Sequence, residues 1–279
     1  MGITSGPDGA LWFAENYANK IGRMTTNGVF TEYTLPTSGS EPGHITTGPD
    51  GALWFTESAG NKIGRITTSG TITEYTLPTA DAFPWGITAG PDGALWFVES
   101  DANKIGRITT SGTITEYTLP TAGAYPLSIT TGPDGALWFT QPLADDRIGR
   151  ITTSGVITEF PTASSDALPI WIITGPDDNL WYTDAAGRVG TTTTSGSFTE
   201  YPVTDPNGFP WGMTLGPDGT DIWFVEQEAG NVASITTSGT INEYALPTNI
   251  PGPIQITVGS DDNLWLTENY VDQLARVIP

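Results

Sequence analysis

Gly48-Pro49-Asp50-Gly51-Ala52-Leu53-Trp54-Phe55-Thr56-Glu57 is one copy of a segment that returns seven times along this chain, beginning at Gly6, Gly48, Gly90, Gly132, Gly175, Gly216 and Gly259. Successive starts are 42, 42, 42, 43, 41 and 43 residues apart. A fixed period of this size restricts the chain to stacked, similar units, because each unit must bury its apolar face on the next.

The second repeat shows what one unit is. Gly43-His44-Ile45-Thr46-Thr47 is a short apolar-rich run, and Gly48-Pro49-Asp50-Gly51 is a turn. Leu53-Trp54-Phe55-Thr56 is rich in strand formers. Ser58-Ala59-Gly60-Asn61 turns again before Lys62-Ile63-Gly64-Arg65-Ile66. After Ser69-Gly70, Thr71 to Thr76 alternates with period two. Each unit therefore reads as four short antiparallel strands. One such sheet cannot hide its apolar face alone, but seven arranged in a ring can. The expected fold is all-β, a single seven-bladed β-propeller over residues 1–279, with blades starting near 1, 42, 84, 126, 169, 210 and 253. The repeat overrides the two domains that 279 residues alone would suggest. The last unit stops at Pro279, after its third strand. Six four-stranded blades plus a three-stranded last blade are expected, with the ring closed by side-chain packing alone.

Charge narrows the partners. There are 31 acidic and 10 basic residues, a net charge of −21. All ten basic residues, from Lys20 to Arg276, recur in the third-strand motif. They read as scaffold parts, with stems packing on their neighbours. No basic stripe is left for phosphates or anionic lipid, so neither nucleic acid nor a membrane is expected as partner. A monomer is expected. There are no cysteines, hence no disulfides or thiolate metal sites. No signal peptide is read at the start, and the compartment, cytoplasmic or secreted, stays open.

Variation within the chain points to one face. The Gly-Pro-Asp-Gly turns and the Thr-Ser-Gly turns are nearly uniform and read as structural. The connections into each inner strand all differ, as in Ser38 to His44, Asp81 to Gly86, Gly123 to Ser128, Ser165 to Trp171, Asp205 to Gly212 and Ile250 to Gln255. Varied loops on a uniform scaffold are where function is expected. Seven of the ten Trp belong to the repeat. Trp85, Trp171 and Trp211 do not, and each begins an inner strand at the tunnel mouth. They read either as an aromatic rim for a flat or ring-shaped ligand or as a plug. Leu127 and Ile254 hold the matching places in blades 4 and 7.

Acidic side chains Glu15, Glu57, Glu99, Asp184, Glu226 and Glu268 end the second strands on the same face. Their recurrence reads first as scaffold, each tying a neighbouring backbone or Arg. A metal or general-base role for one of them is the sharper alternative, since hard cations favour oxygen donors. His44 is the only histidine, three residues after Glu41.

The unit from Leu53 to Thr79 closely resembles the blades of the virginiamycin B lyase (streptogramin B lyase) family, and the likeness runs the length of the chain. Active members of that family are seven-bladed propellers that open a cyclic depsipeptide by elimination, with Mg²⁺. The resemblance implies catalytic His residues after the Pro of inner strands, one preceded by Glu-Pro, and a Glu ending that blade's second strand. Carried onto this chain it points to Glu41, His44 and Glu57, with Glu41 also as a metal ligand and Mg²⁺ as cofactor. Gly43 takes the place after Glu41-Pro42, and His44 falls one residue later, on the other strand face. The family's second His has no counterpart: Trp85, Leu127, Ile170, Trp211 and Ile254 hold those places. Three readings follow. The chain binds a small or cyclic peptide ligand at the mouth with an incomplete catalytic set, or it is an active Mg²⁺-dependent lyase, or it is a repeat scaffold without a ligand.

Overall fold

The computed structural model describes residues 2–248 and 252–279. Met1 and the Ile250-Pro251 part of the last connection lie outside them. The described chain forms 27 strands in seven antiparallel sheets, six of four strands and one of three, as the repeat predicts. Blade 2 is representative: inner strand Pro42–Thr47, second Leu53–Glu57, third Lys62–Ile66 and outer Ile72–Thr76. Each strand pairs with the next in sequence, so the chain runs outward across every blade and then returns to the axis.

The core lies between blades. Trp54 and Ile63 of blade 2, with Leu77 just after its outer strand, pack against Ile87, Leu95, Phe97 and Ile108 of blade 3. Second strands carry the largest buried side chains, Trp12, Trp54, Trp96, Trp138 and Trp181 among them. The uniform turn explains how each Trp is held. Asp50 accepts hydrogen bonds from Trp54 Nε1 (2.9 Å) and Arg65 Nε (2.7 Å), and the guanidinium lies over the Trp ring, 5.9 Å from its centroid. Burial pushes the Asp50 carboxyl up, and these two partners more than offset that and hold it below its ordinary value. Asp8, Asp92 and Asp134 repeat the arrangement. Arg23, Arg65, Arg107 and Arg150 are thus turn clips.

Blade 4 departs from the expected start near 126: its inner strand begins at Ile129. The Ser128 N–H bonds to the Thr140 hydroxyl (3.0 Å), as the His44 N–H does to Thr56 in blade 2. Blade 7 consists of Pro253–Val258, Leu264–Glu268 and Gln273–Val277. It meets blade 1 through side chains. Ser5 Oγ donates to the Val258 carbonyl, Ser260 Oγ donates to the Gly9 carbonyl at 2.7 Å, and Ile3, Leu11 and Phe13 pack with Trp265.

Candidate functional site

Inner strands of blades 2, 3, 5, 6 and 7 begin at a proline and slip register within the first residues, as between Pro42 and Ile45. Such a bulge re-aims side chains at a strand end. It separates two sets of residues at the mouth. Gly43, Trp85, Leu127, Ile170, Trp211 and Ile254 form the outer set. Gly2, His44, Gly86, Ser128, Trp171, Gly212 and Gln255 form a ring around the axis. Trp171 therefore belongs with His44, one residue off the register of Trp85 and Trp211, and the three Trp are not equivalent.

That axial ring alternates small and large side chains. A Cβ on Gly86 would lie 2.9 Å from Ser128 Cα, and one on Gly212 would lie 2.9 Å from Gln255 Cα, so only glycine fits at these crowded points. The space they leave is taken by two rings reaching across from blades 2 and 5. His44 stacks on Trp171 with centroids 4.8 Å apart and meets the edge of Trp85 at 5.0 Å. His44 is 3% exposed. Burial pushes its imidazole well below the usual range, so it is neutral near pH 7 and carries no acidic proton for a leaving group. Below this bridge the tunnel holds a cavity of about 190 Å³, ringed by Thr4, Thr46, Thr88, Thr130, Thr214 and Thr257. The plug is the arrangement seen for Trp171. Trp85 and Trp211 do something else.

Those two sit in identical Phe-Pro-Trp segments. Phe83 stacks on Trp85 with centroids 5.8 Å apart, and Phe209 stacks on Trp211 at 5.6 Å. Both pairs are half-buried. Phe83 and Phe209 adopt φ of 53° and 57°, a strained conformation for a bulky side chain. Each is held there by its carbonyl, which accepts from Ser100 N (3.1 Å) and Gln227 N (3.1 Å) respectively. Glu41 and Tyr125, also preceding a proline, share the conformation at 53° and 51°. Strain kept at four mouth positions marks built loops. Leu127 and Ile254 are half-buried beside them.

The model of the virginiamycin B lyase family matches residues 1–141 and 121–279, the whole chain in two overlapping pieces. The chain belongs to the virginiamycin B lyase family. A solved streptogramin B lyase is 39% identical, with a TM-score of 0.94, and the match covers 99% of this chain and 91% of that one. Virginiamycin B lyase from Staphylococcus aureus is 42% identical, with a TM-score of 0.94, covering 99% and 94%. A catalytically inactive His-to-Ala variant of that enzyme, solved with quinupristin, matches at 42% identity and a TM-score of 0.93 over the same shares. No curated protein matches.

Against this virginiamycin B lyase background, the residues singled out from the sequence differ in their surroundings. Glu41 is exposed. Glu57 is fully buried, neither of its oxygens has a hydrogen-bond partner, and burial pushes its carboxyl up to about 7. No hydrogen bond joins His44 to either of them among the described residues. Glu57, Glu99, Asp184, Glu226 and Glu268 are buried, while Glu15 is partly buried and raised first by that burial and then by the Glu32 charge. The expected tie to backbone and Arg holds for Asp184, which accepts from Leu168 N (2.8 Å) and Arg188 Nε (2.7 Å). It fails for Glu57 and Glu99, whose carboxyl oxygens stand unbonded. Among the described residues no three His, Cys, Asp or Glu side chains are grouped to hold a metal. The donor set therefore does not fit a protein-held Mg²⁺, and no step is drawn through one.

Sequence reading missed Thr56. Its hydroxyl accepts the His44 N–H at 3.0 Å and donates to the Trp85 carbonyl at 2.8 Å, clipping blade 2 to blade 3 beneath the bridge. Thr140 and Thr183 repeat the clip, to the carbonyls of Ile170 and Trp211. The signal was available: Thr holds that place in the second strands of blades 2, 4, 5 and 7, but Ala14, Val98 and Val225 hold it elsewhere.

Proposed function

We propose that this chain binds a small or cyclic peptide ligand at the tunnel mouth, against the Phe83–Trp85 and Phe209–Trp211 stacks, without the elimination chemistry of the active family members. One observation carries the reading: the only imidazole is walled in by Trp85 and Trp171 and stays neutral. An elimination needs a base for the α-proton and an acid for the leaving oxygen, each within reach of the substrate. His44 and Glu57 are both buried, 3% and 0% exposed. The half-buried aromatic pairs, by contrast, offer flat apolar faces beside polar loop backbone, the makings of a ligand site.

Incubation with a type B streptogramin, with and without added Mg²⁺, tests this. The expected result is no ring opening above the uncatalysed rate, together with saturable quenching of tryptophan fluorescence that is lost in a Trp85→Ala, Trp211→Ala double variant. Ring opening that disappears in His44→Ala would instead make the chain an active lyase. Neither turnover nor quenching would leave the scaffold reading.

A further inference from the structure

The tunnel below the His44–Trp171 bridge is built differently from the mouth above it. Each inner strand sets one residue opposite its blade Trp, as Thr46 pairs with Trp54 and Thr88 with Trp96, so seven residues stand at one level around the axis. Six of them are Thr, and Ile173 of blade 5 is the seventh. Where the next residue along the strand is also Thr, its hydroxyl has a structural task. Thr47, Thr131 and Thr174 donate to the Ser5, Ala89 and Thr131 carbonyls of the preceding blade. The axial set has no such task. Among the described residues the hydroxyls of Thr4, Thr46, Thr88, Thr130 and Thr257 bond to no protein group, and that of Thr214 reaches only the Leu215 carbonyl, at 3.3 Å.

Strand propensity explains why Thr recurs at this level. It does not explain Gln255, which departs from the repeat. Gln255 lies two residues before Thr257 on the same strand face, above the ring. It is 3% exposed and lines the cavity, and its Nε2 is a buried donor without a partner. Gly212 keeps room for the carboxamide, since a Cβ there would lie 3.1 Å from Gln255 Cδ. A buried amide that donates to nothing is a standing cost to stability, which a bound acceptor would lift. Exposure shows the way in. His44, Ser128 and Gln255 are buried, whereas the Thr ring beneath them is half-buried, so solvent reaches the ring from the Gly-Pro-Asp-Gly face.

These features select the ligand. Among the described residues no Asp, Glu, Lys or Arg lines the cavity, and burial keeps His44 neutral, so a charged ligand would find no counter-charge. The volume of about 190 Å³ far exceeds the roughly 10–15 Å³ that one water needs, and a bare ion would leave most of the hydroxyls unmet. A Thr hydroxyl both donates and accepts, so a ring of them is matched by a second set of hydroxyls. Trp171 and Ile173 make one sector apolar, suited to the C–H face of such a molecule. We propose that this cavity binds a neutral polyol, of glycerol to monosaccharide size, held by the Thr ring and Gln255 and entered from the Gly-Pro-Asp-Gly face. The bridge separates it from the mouth, and it does not depend on what the mouth binds.

Saturation-transfer NMR of the intact chain with glycerol, myo-inositol and D-glucose tests the site. The expected result is saturable binding of at least one of the three, with a Kd on the order of millimolar. Gln255→Leu should weaken that binding roughly fivefold, and the free variant should unfold at higher urea than the parent, because the unpaired donor is gone. Thr88→Val combined with Thr130→Val keeps shape and strand preference and should weaken binding roughly tenfold. No saturable binding of any of the three up to about 100 mM would overturn the proposal. So would a polyol that either variant binds as tightly as the parent does.

Discussion

Replacing Glu99 with Gln is expected to stabilise this protein at neutral and alkaline pH. Glu99 is fully buried, and neither carboxyl oxygen has a hydrogen-bond partner. Burial, and then the charge of Glu116, push its carboxyl up to about 8 from its ordinary value of 4.5. The sign follows from where the proton sits. Above the unfolded pKa the unfolded chain releases it, while the folded chain keeps it until the pH passes about 8. Stability is therefore lost progressively between those two values, and the loss is complete above the second. Glu57 and Glu226, each raised to about 7 mainly by burial, act in the same direction over a narrower window. Blade 4 already contains the remedy: Gln141 holds the same place and donates through Nε2 to Glu159 at 2.9 Å. A Glu99→Gln amide has the matching acceptor in Glu116. At about pH 8.5 the variant should gain on the order of 3 kcal/mol. At about pH 4 it should gain almost nothing. Urea unfolding of both proteins across that range measures the difference. A gain that did not grow with pH would mean that Glu99 is not protonated in the folded chain.

Trp96→Ala should cost the most of any single substitution in the repeat, about 4 kcal/mol. Its ring is fully buried, stacked by Tyr117 at 5.6 Å, overlain by Arg107 and hydrogen-bonded to Asp92 at 3.0 Å. Trp265→Ala removes the same residue from the same place in the repeat, but the Trp265 ring has Arg276 and Asp261 without the aromatic stack. It should cost less by roughly 1 kcal/mol, the increment of an aromatic pair beyond burial. Paired urea midpoints decide it. Equal losses would indicate that the outer-strand ring adds nothing to the buried Trp.

The sequence carried the blade count, the strand order and even the missing strand, because two turns of nearly uniform chemistry, Gly-Pro-Asp-Gly and Thr-Ser-Gly, recur at an almost constant interval. Alternation at the inner-strand starts was less legible. Trp171 stands two residues after its proline where Trp85 and Trp211 stand one after theirs, so strand alternation turns it the other way, and neither composition nor spacing announces the bulge that all three strands share. The burial of Glu57 and Glu99 was hidden for a different reason. Their recurrence suggested partners, yet the recurrent Arg and Lys beside them are already bonded to Asp50, Asp92, Glu74 and Glu116. A repeat tells which residue types come back. It does not tell which of two acids on one blade receives the cation.

The joint between blades 7 and 1 also gives this otherwise periodic molecule a direction in time. Five joints are locked by an outer-strand ring over the next blade's turn glycine and a hydroxyl-residue–Glu cap, and the joint between blades 7 and 1 relies on two serine hydroxyls and a few apolar side chains. A hoop built that way parts at its weakest link. Opening would spread from that link both ways around the circumference, leaving the blades diametrically opposite as the last to let go.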